Sequence, residues 1–293
     1  MRNRIKPLLT QLRLSGMSES LEVRLQEASS TSLTHLEFFE LMLQDELHIR
    51  GDRQIARRIK LANFRDARRL EDFDFTFNKT IKKNQVFELA TGRFVRERRD
   101  VLWLGPPGTR KSHLCQAIGL SLIRAGMTVY YRSIFDMVRD FLHDEAMDGH
   151  ERILKRYLEP DLLIIDDMGM KQLPKRSGEY LFEVIMRRHD VRSTMMTSNR
   201  PLEEWGKLLN DVPSATAILD RFLHHSDVIQ ITGRSYRMGN SGKNSNSTKA
   251  PTGSGAEHAK VKRYHYGQSA FNLTNWYCLG RQRLVLFEAP IDS

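Results

Sequence analysis

Cysteine is scarce in this chain, and long apolar runs are absent from it. The two cysteines, Cys115 and Cys278, are too few and too far apart in sequence to form a disulfide framework or a thiolate metal site. No apolar run approaches the ~18 residues of a membrane span, and the N-terminus "MRNRIKPLLTQLRLSGMSES" lacks the apolar core and the cleavage site of a signal peptide. We therefore expect a cytoplasmic protein with no membrane partner.

Acidic side chains are outnumbered by basic ones. The 293 residues include 46 Lys and Arg against 36 Asp and Glu, which gives a formal net charge of +10. Such an excess predicts a polyanionic partner, and nucleic acid is the first candidate. The hydrophobic fraction of 40% is enough for a buried core, and the length suits one large domain with a smaller one.

Residues 1–75 are expected to form a small helical domain that binds DNA or a partner protein. Apolar residues recur there at helical spacing, and Thr34 with Glu37 predicts a capping box. Between Arg50 and Arg69, eight basic residues stand against two acidic ones. This excess fits either a solvated helix face or a surface that contacts phosphates. On the second interpretation, the candidate DNA-binding residues are Arg53, Arg57, Arg58, Lys60 and Arg65.

Residues 76–238 alternate between short β-type runs and helical stretches. The runs are "VLWL" (101–104), "TVYYR" (128–132), "LLIID" (162–166), "TMMTS" (194–198) and "VIQIT" (228–232). Strands separated by helices predict an α/β fold with a mainly parallel five-stranded sheet that is covered on both faces. From residue 239 a Gly/Ser/Asn-rich tract predicts a flexible linker, and the tail to residue 293 has no clear periodicity.

Glycine is missing from one position of a phosphate-binding motif. The stretch "GPPGTRKS" (105–112) lies between a β-type run and a helical one, and it matches G-x-x-x-x-G-K-[ST] except that Arg110 replaces the second glycine. In such a loop the backbone N–H groups surround the phosphates, Lys111 reaches the β- and γ-oxygens, and Ser112 binds Mg²⁺. The expected ATP-binding residues are Gly105, Pro106, Pro107, Gly108, Thr109, Arg110, Lys111, Ser112 and His113.

Four further residues complete the expected site. "LLIIDD" (162–167) is typical of a Walker B strand, in which Asp166 holds Mg²⁺ and Asp167 orients or activates the attacking water. Asn199 follows the strand "TMMTS", where it either polarises the water or only forms a turn. Arg221 in "ILDRF" is either an ordinary exposed helix residue or a group that reaches the γ-phosphate on a neighbouring subunit.

The order of these motifs resembles that of one family. The succession "LRLSGMSESLEVRL", "LEDFDF", "LATGRF", "LGPPGTRKSHL", "LLIIDDMGM", "TSNRP" and "ILDRFLHHSDVIQITGRSYR" is similar to that of the IstB-like transposition helper ATPases, AAA+ proteins related to the DnaC helicase loaders, over roughly residues 8–238. The resemblance implies an AAA+ core behind a helical domain, homo-oligomerisation with ATP on double-stranded DNA, and stimulation of a transposase. It also implies that Asn199 is a sensor and Arg221 an arginine finger.

Arg110 departs from the family pattern, which has glycine before the lysine. That glycine lets the backbone approach the phosphates, whereas Arg110 adds a Cβ and a bulky cation. We therefore expect Arg110 to impair ATP binding and hydrolysis, and a non-hydrolysing DNA-binding scaffold stands beside the helper ATPase as an alternative. A helicase loader of replication is a further alternative. A small-molecule kinase would give no reason for the basic helical domain.

Overall fold

The computed structural model describes residues 2–66, 68–145, 149–170, 172–233, 235–236 and 284–285. Helices come first, and strands alternate with helices from Asp100 onward. The strands are β1 (Asp100–Leu104), β2 (Val129–Ser133), β3 (Leu162–Met168), β4 (Ser193–Ser198), β5 (Ser226–Gln230) and β6 (Leu284–Val285). The helices are α1 (Arg2–Gln11), α2 (Ser15–Thr31), α3 (His35–Ala62), α4 (Lys83–Ala90), α5 (Arg93–Arg96), α6 (Lys111–Arg124), α7 (Ile134–Glu145), α8 (His150–Leu158), α9 (Ser177–Arg188), α10 (Trp205–Leu209) and α11 (Val212–His224).

The strands form one parallel sheet in the order β2-β3-β4-β1-β5-β6. The α/β fold and its five predicted strands are confirmed, although β5 begins and ends two residues before the predicted run. The two-residue strand β6 lies in the predicted tail, where the sequence pattern predicts no strand. Apart from β6, the predicted linker and tail at 239–293 lie outside the described residues.

The carboxyl ends of β1, β4 and β3 lie side by side. Leu104 at the end of β1 pairs with Ser198 at the end of β4, and Ser198 also pairs with Met168 at the end of β3. Because parallel strands end at the same edge of a sheet, the loops that follow these three strands meet there. The loop 105–110, the acids of β3 and Asn199 therefore share one edge.

Helices cover the sheet on both faces. Along β3, Leu163 and Ile165 belong to one buried apolar cluster, and Leu162 and Ile164 belong to the other. Alternate residues of a strand point to opposite faces, so both faces of β3 are packed. Burying each such side chain contributes ~1.5–3 kcal/mol, and this makes the central strands a rigid support for the loops at their ends.

The first three helices have a smaller core of their own. Met17, Leu21 and Met42 form it between α2 and α3. The predicted capping box is confirmed, because Thr34 Oγ1 accepts from Glu37 N and the Glu37 carboxylate accepts from Thr34 N. The boundary at residue 75 stays a prediction. Among the described residues, no helix combines the length and apolar character needed to cross a membrane.

Candidate nucleotide site

The loop 105–110 connects β1 to α6, whose first residue is Lys111. Gly108 in this loop has a φ of +86°, and a Cβ on it would lie 2.0 Å from Ser235 Oγ. Glycine is therefore required here, both by the backbone conformation and by the close approach of Ser235. The positive end of α6 faces the loop, so an anion bound there gains from free backbone N–H groups and from the helix dipole.

The other loop residues divide between the interior and the surface. Thr109 is buried and its hydroxyl donates to Pro106 O at 2.9 Å, whereas the side chains of Pro106 and Pro107 are exposed. His113 packs edge-on against Phe73, with 5.1 Å between the ring centroids, and burial lowers the pKa of His113. Its Nε2 atom is buried and has no hydrogen-bond partner among the described residues. His113 therefore lines the aromatic side of the loop as a neutral ring.

Lys111 is held inside the loop. Its Nζ atom donates to Gly105 O at 2.8 Å, to Pro106 O at 3.0 Å and to Asn199 Oδ1 at 2.7 Å. Burial lowers the pKa of Lys111 to about 8, and the Asp166 carboxylate only partly offsets this effect. The ammonium group thus rests on neutral carbonyl oxygens that phosphate oxygens, which carry charge, would replace favourably.

Asp166 is fully buried at the end of β3, and hydroxyl groups surround it. Its Oδ1 atom accepts from Ser112 Oγ at 3.0 Å and from Thr197 Oγ1, and its Oδ2 atom accepts from Tyr131 OH at 2.5 Å. Burial and the neighbouring Asp166 carboxylate raise the pKa of Tyr131, so the phenol remains a proton donor. The structure therefore brings together the predicted Mg²⁺ ligands, Ser112 and Asp166.

This pair fits Mg²⁺ in chemistry and in number. Ser112 Oγ and Asp166 Oδ1 are hard oxygen donors 3.0 Å apart. Within the ranges that the structure describes, no group of three or more His, Cys, Asp and Glu could hold a metal ion by itself. Mg²⁺ keeps several waters and takes phosphate oxygens as ligands, so two protein donors beside a phosphate loop are enough.

Asp167, the predicted catalytic carboxylate, has a left-handed backbone with a φ of +64°. Its N–H donates to Thr197 Oγ1 at 3.1 Å, which links it to β4. Its Oδ2 atom accepts a hydrogen bond of 2.7 Å from Arg65 Nη1. Arg65 thus lies at the candidate nucleotide site, 102 residues before Asp167 in sequence, whereas the sequence pattern predicts only a DNA-binding role for it.

Arg110 has a left-handed backbone conformation, which glycine adopts more readily than other residues. Its φ is +66°, and its guanidinium carbon lies 3.1 Å from the ring centroid of Tyr236 and 5.9 Å from that of Phe73. Tyr236 is itself fixed to the loop, because its N–H donates to Gly108 O at 2.9 Å. The cation therefore stacks on an aromatic face. A left-handed backbone costs a non-glycine residue ~1–2 kcal/mol, and this stacking offsets part of that cost.

Arg221 lies apart from this hydrogen-bond network. It is exposed near the end of α11, which packs against α9 and α10. Among the described residues it makes no hydrogen bond or ion pair. The structure of one subunit therefore does not bring Arg221 to the loop that its predicted role concerns, and that role stays a prediction about a neighbouring subunit.

Two of the basic residues of α3 are engaged inside the protein. Arg53 forms an ion pair of 2.9 Å with Glu19, and Arg58 donates to Gly126 O at 2.6 Å. Arg53 keeps a side chain that is 56% exposed, so its cation also remains accessible from solvent. Arg58 instead connects α3 to the turn before β2, so its guanidinium links the helical segment to the α/β core.

Arg57 and Lys60 are the two remaining candidate DNA-binding residues of α3. Both are exposed, and neither has a hydrogen bond or ion pair to a residue that the structure describes. With Arg53 they are spaced by four and three residues, so they lie along one side of the helix. The predicted group of five thus separates into a side with Arg53, Arg57 and Lys60, a packing contact at Arg58, and a nucleotide-site contact at Arg65.

The chain is similar to proteins of bacterial insertion sequences. The family model of the IstB-like ATP binding protein matches residues 7–244. A Geobacillus stearothermophilus protein, described by its name as an ATP-binding protein of insertion sequence IS5376, is 34% identical over 81% of this chain and 95% of its own length. A Pseudomonas aeruginosa protein, named for IS21 in the same way, is 34% identical over 80% of this chain and 88% of its own length.

Two solved structures are similar to part of this chain. The DnaC helicase loader gives a TM-score of 0.45 at 19% identity and covers 50% of this chain and 86% of that one. AMPPCP-bound DnaA from Aquifex aeolicus gives a TM-score of 0.49 at 18% identity and covers 64% of this chain and 58% of that one. The family match spans both the helical segment and the core that holds the nucleotide site. This chain belongs to the family of IstB-like ATP binding proteins.

Proposed function

We propose that this chain is an ATP-dependent helper of transposition, which assembles as a homo-oligomer on double-stranded DNA and stimulates a transposase. The observation that carries the proposal is the meeting of Lys111, Ser112, Asp166 and Asn199 at one edge of the sheet, joined by hydrogen bonds of 2.7–3.0 Å. The names of the relatives place them in insertion sequences and describe them as ATP-binding. Both facts support a nucleotide-dependent step of transposition.

Each residue of the site has a defined task in ATP hydrolysis. Lys111 exchanges the loop carbonyls for the β- and γ-phosphate oxygens, while Ser112 and Asp166 hold Mg²⁺, which neutralises phosphate charge when bound. Asp167 accepts the proton of the attacking water, and Asn199, already in contact with Lys111, orients that water. Arg221 of one subunit approaches the γ-phosphate of the next, as the resemblance to the family implies.

Basic surfaces support the DNA-binding part of the proposal. Arg53, Arg57 and Lys60 form one exposed side of α3. A second basic region lies between α7 and α8, where a cavity of about 480 Å³ is lined by Arg139, His143, Arg152 and Arg156, among others. Cations that repeat along a surface bind phosphates without reading base sequence, so we expect duplex binding that tolerates many sequences.

Arg110 favours a second candidate, a non-hydrolysing scaffold that binds DNA and transposase. The aromatic contact with Tyr236 fixes the arginine beside the loop. If the Arg110 Cβ obstructs the phosphates, the fold and the basic surfaces persist without turnover. The two candidates therefore differ in ATP hydrolysis and agree in DNA binding.

The purified full chain tests the proposal. We expect it to bind a fluorescent ATP analogue with Mg²⁺, to hydrolyse ATP faster with duplex DNA than without it, and to promote strand transfer by the transposase of its own insertion sequence. Lys111→Ala is the control, because it removes the phosphate contact and leaves the basic face of α3 unchanged. DNA binding without hydrolysis would support the scaffold. A chain that binds neither ATP nor DNA would refute both candidates.

A further inference from the structure

The turn that follows α3 is attached to the helix of the nucleotide loop. The backbone N–H groups of Arg65 and Asp66 both donate to Gln116 Oε1 on α6, at 2.9 and 3.1 Å. Gln116 Nε2 in turn donates to Ser112 O at 3.1 Å. Two backbone donors on one amide oxygen fix the turn relative to the first turns of α6. The end of the basic helix therefore lies at a set position beside the predicted Mg²⁺ ligand Ser112.

From this turn the Arg65 side chain extends to Asp167, the predicted catalytic carboxylate. Its Nη1 atom donates to Asp167 Oδ2 at 2.7 Å, and its guanidinium carbon lies 5.9 Å from the ring centroid of Tyr131, whose hydroxyl is bound to Asp166. The Arg65 side chain is 50% exposed and that of Asp167 is 21% exposed. The pair thus lies at the boundary between the Walker B acids and solvent, where a polyanion can reach the arginine.

Arg65 occupies the carboxylate atom that the attacking water would need. Its charged hydrogen bond places a donor other than water on Asp167 Oδ2. A general base has to lie within hydrogen-bond distance of the water whose proton it accepts. While Arg65 holds Oδ2, the Asp167 carboxylate is oriented toward α3 and is restrained from that task.

We propose that Arg65 is a positioning residue that restrains Asp167 until duplex DNA binds the arginine and breaks its contact with Asp167. This inference rests on the proposed DNA-dependent ATPase function. Arg57 and Lys60 would bind a DNA backbone along α3, and Arg65 lies in the turn after that helix, five residues beyond Lys60. A DNA phosphate competes with Asp167 for the half-exposed guanidinium. Once Arg65 no longer occupies Oδ2, that oxygen accepts a hydrogen bond from the attacking water. Occupation of the basic face is thereby coupled to hydrolysis.

Reciprocity gives a test that requires no hydrolysis. If DNA and Asp167 compete for Arg65, removing the carboxylate has to strengthen DNA binding through Arg65. We expect Asp167→Asn to tighten duplex binding without nucleotide by roughly two- to five-fold, the range for a partly exposed ion pair. The gain disappears when Arg65→Ala is also present. The measurement is duplex anisotropy for the two single variants and the double variant.

Arg68 and Asp66 provide a matched control pair in the same turn. Their ion pair measures 2.8 Å, and the Arg68 side chain is likewise 50% exposed, but neither residue contacts the Walker B acids by hydrogen bond. Asp66→Asn also removes one negative charge, so any gain that it brings has to persist in the Arg65→Ala background. A gain from Asp167→Asn that also persists there would show general charge repulsion and overturn the proposal.

Hydrolysis gives the second readout. We expect Arg65→Ala to raise kcat without DNA by roughly two- to five-fold, to leave KM for ATP unchanged, and to reduce stimulation by DNA in proportion. Arg65→Lys should restore part of the restraint, and Arg68→Ala should match the wild type. A lower kcat without DNA would overturn the restraint, because Arg65 would then assist catalysis. A wild-type chain that binds DNA but does not hydrolyse ATP would refute the proposed ATPase, while the binding cycle would still decide whether Arg65 responds to Asp167.

Discussion

Lys111 and Asn199, 88 residues apart in sequence, are joined by a hydrogen bond of 2.7 Å between Nζ and Oδ1. The contact connects the phosphate loop after β1 with the end of β4. Because the same ammonium group also donates to Gly105 O and Pro106 O, it is saturated before any phosphate arrives. Nucleotide binding therefore has to exchange hydrogen bonds at Lys111, and the energetics of this exchange depend on the protonation of the ammonium group.

The first prediction concerns the pH dependence of ATP binding. Burial lowers the pKa of Lys111 to about 8, and bound phosphates raise it again because they favour the charged form. Above pH 8 the free protein has lost part of this proton, so ATP binding takes up a proton and its affinity falls as the pH rises. Titration calorimetry at pH 8.5 in two buffers of different ionisation enthalpy measures the uptake. Equal enthalpies in the two buffers would contradict the prediction.

The same pKa makes a prediction about stability. Between about pH 8 and the ordinary lysine value near 10.4, the unfolded chain binds more protons at Lys111 than the folded chain does. The contribution of Lys111 to the free energy of unfolding therefore increases with pH across this window. Denaturant melts of the wild type and of Lys111→Met, compared at pH 7.5 and 9.5, isolate it. A difference between the two proteins that does not change with pH would exclude the shift.

The second residue to test is Arg110. A Cβ at this position keeps the loop backbone from close approach to the phosphates, so we expect Arg110→Gly to tighten ATP binding by about tenfold, or ~1.4 kcal/mol. The free energy of unfolding should change little, since relief of the left-handed backbone and loss of the contact with Tyr236 oppose each other. A fluorescent ATP analogue with Mg²⁺ measures the affinity.

Tyr236→Ala is the companion variant for Arg110. It removes the aromatic face and leaves arginine in the loop. Affinity that is equal or weaker in Arg110→Gly would show that the present loop already accommodates Arg110. In that case Tyr236→Ala should weaken ATP binding, because the guanidinium would lose the contact that holds it beside the loop.

The basic side of α3 should determine the salt dependence of DNA binding. Arg57→Ala combined with Lys60→Ala removes two cations that have no partner among the described residues, so the slope of log affinity against log salt should decrease by about 2. Arg58→Ala is the control, because Arg58 is bound to Gly126 O and its loss should lower stability by ~0.5–1.5 kcal/mol while the slope is kept. An unchanged slope in the double variant would make this face an ordinary solvated one.

Arg221 should act between subunits. Arg221→Ala is expected to keep ATP binding and to lose hydrolysis stimulated by DNA. Mixing it with Asp166→Asn chains should restore part of the activity, since a mixed interface can pair an intact site with an intact arginine. Steady-state rates across mixing ratios measure the rescue. Additive rates at every ratio would mean that Arg221 acts within its own subunit or has no role in hydrolysis.

The sequence predicts the strands and the nucleotide loop because their signals are local. Except for their polar last residues, "LLIID" and "TMMTS" are continuous runs of apolar or β-branched residues. Such runs are typical of strands in a parallel sheet that is buried on both faces. The two motifs also predict the approach of Ser112 to Asp166, because Ser112 follows β1, Asp166 lies near the end of β3, and parallel strands end at the same edge of the sheet. The order of the central strands, which brings Asn199 to Lys111, comes from the tertiary structure.

Local sequence patterns do not predict the contacts of Arg65 and Tyr236. Arg65 lies in a stretch rich in arginine and resembles its neighbours in sequence, yet the turn after α3 directs its side chain to Asp167. Tyr131 and Thr197, which hold Asp166, are expected strand formers, and nothing in the pattern separates a buried hydroxyl that binds a carboxylate from one that only packs. The end of β5 is also misplaced by the sequence, because Ile231 still bonds to Leu104 O while Thr232 turns away to accept from Thr80.

The contact between Tyr236 and the loop limits how the protein can be shortened. The backbone of Tyr236 bonds to Gly108 and its ring covers Arg110, although both residues belong to a loop more than 120 positions earlier. A truncation after residue 233 would retain β1 to β5 and their packing. It would also remove one wall of the ATP-binding loop, so a shortened protein could fold normally and still give a misleading nucleotide affinity.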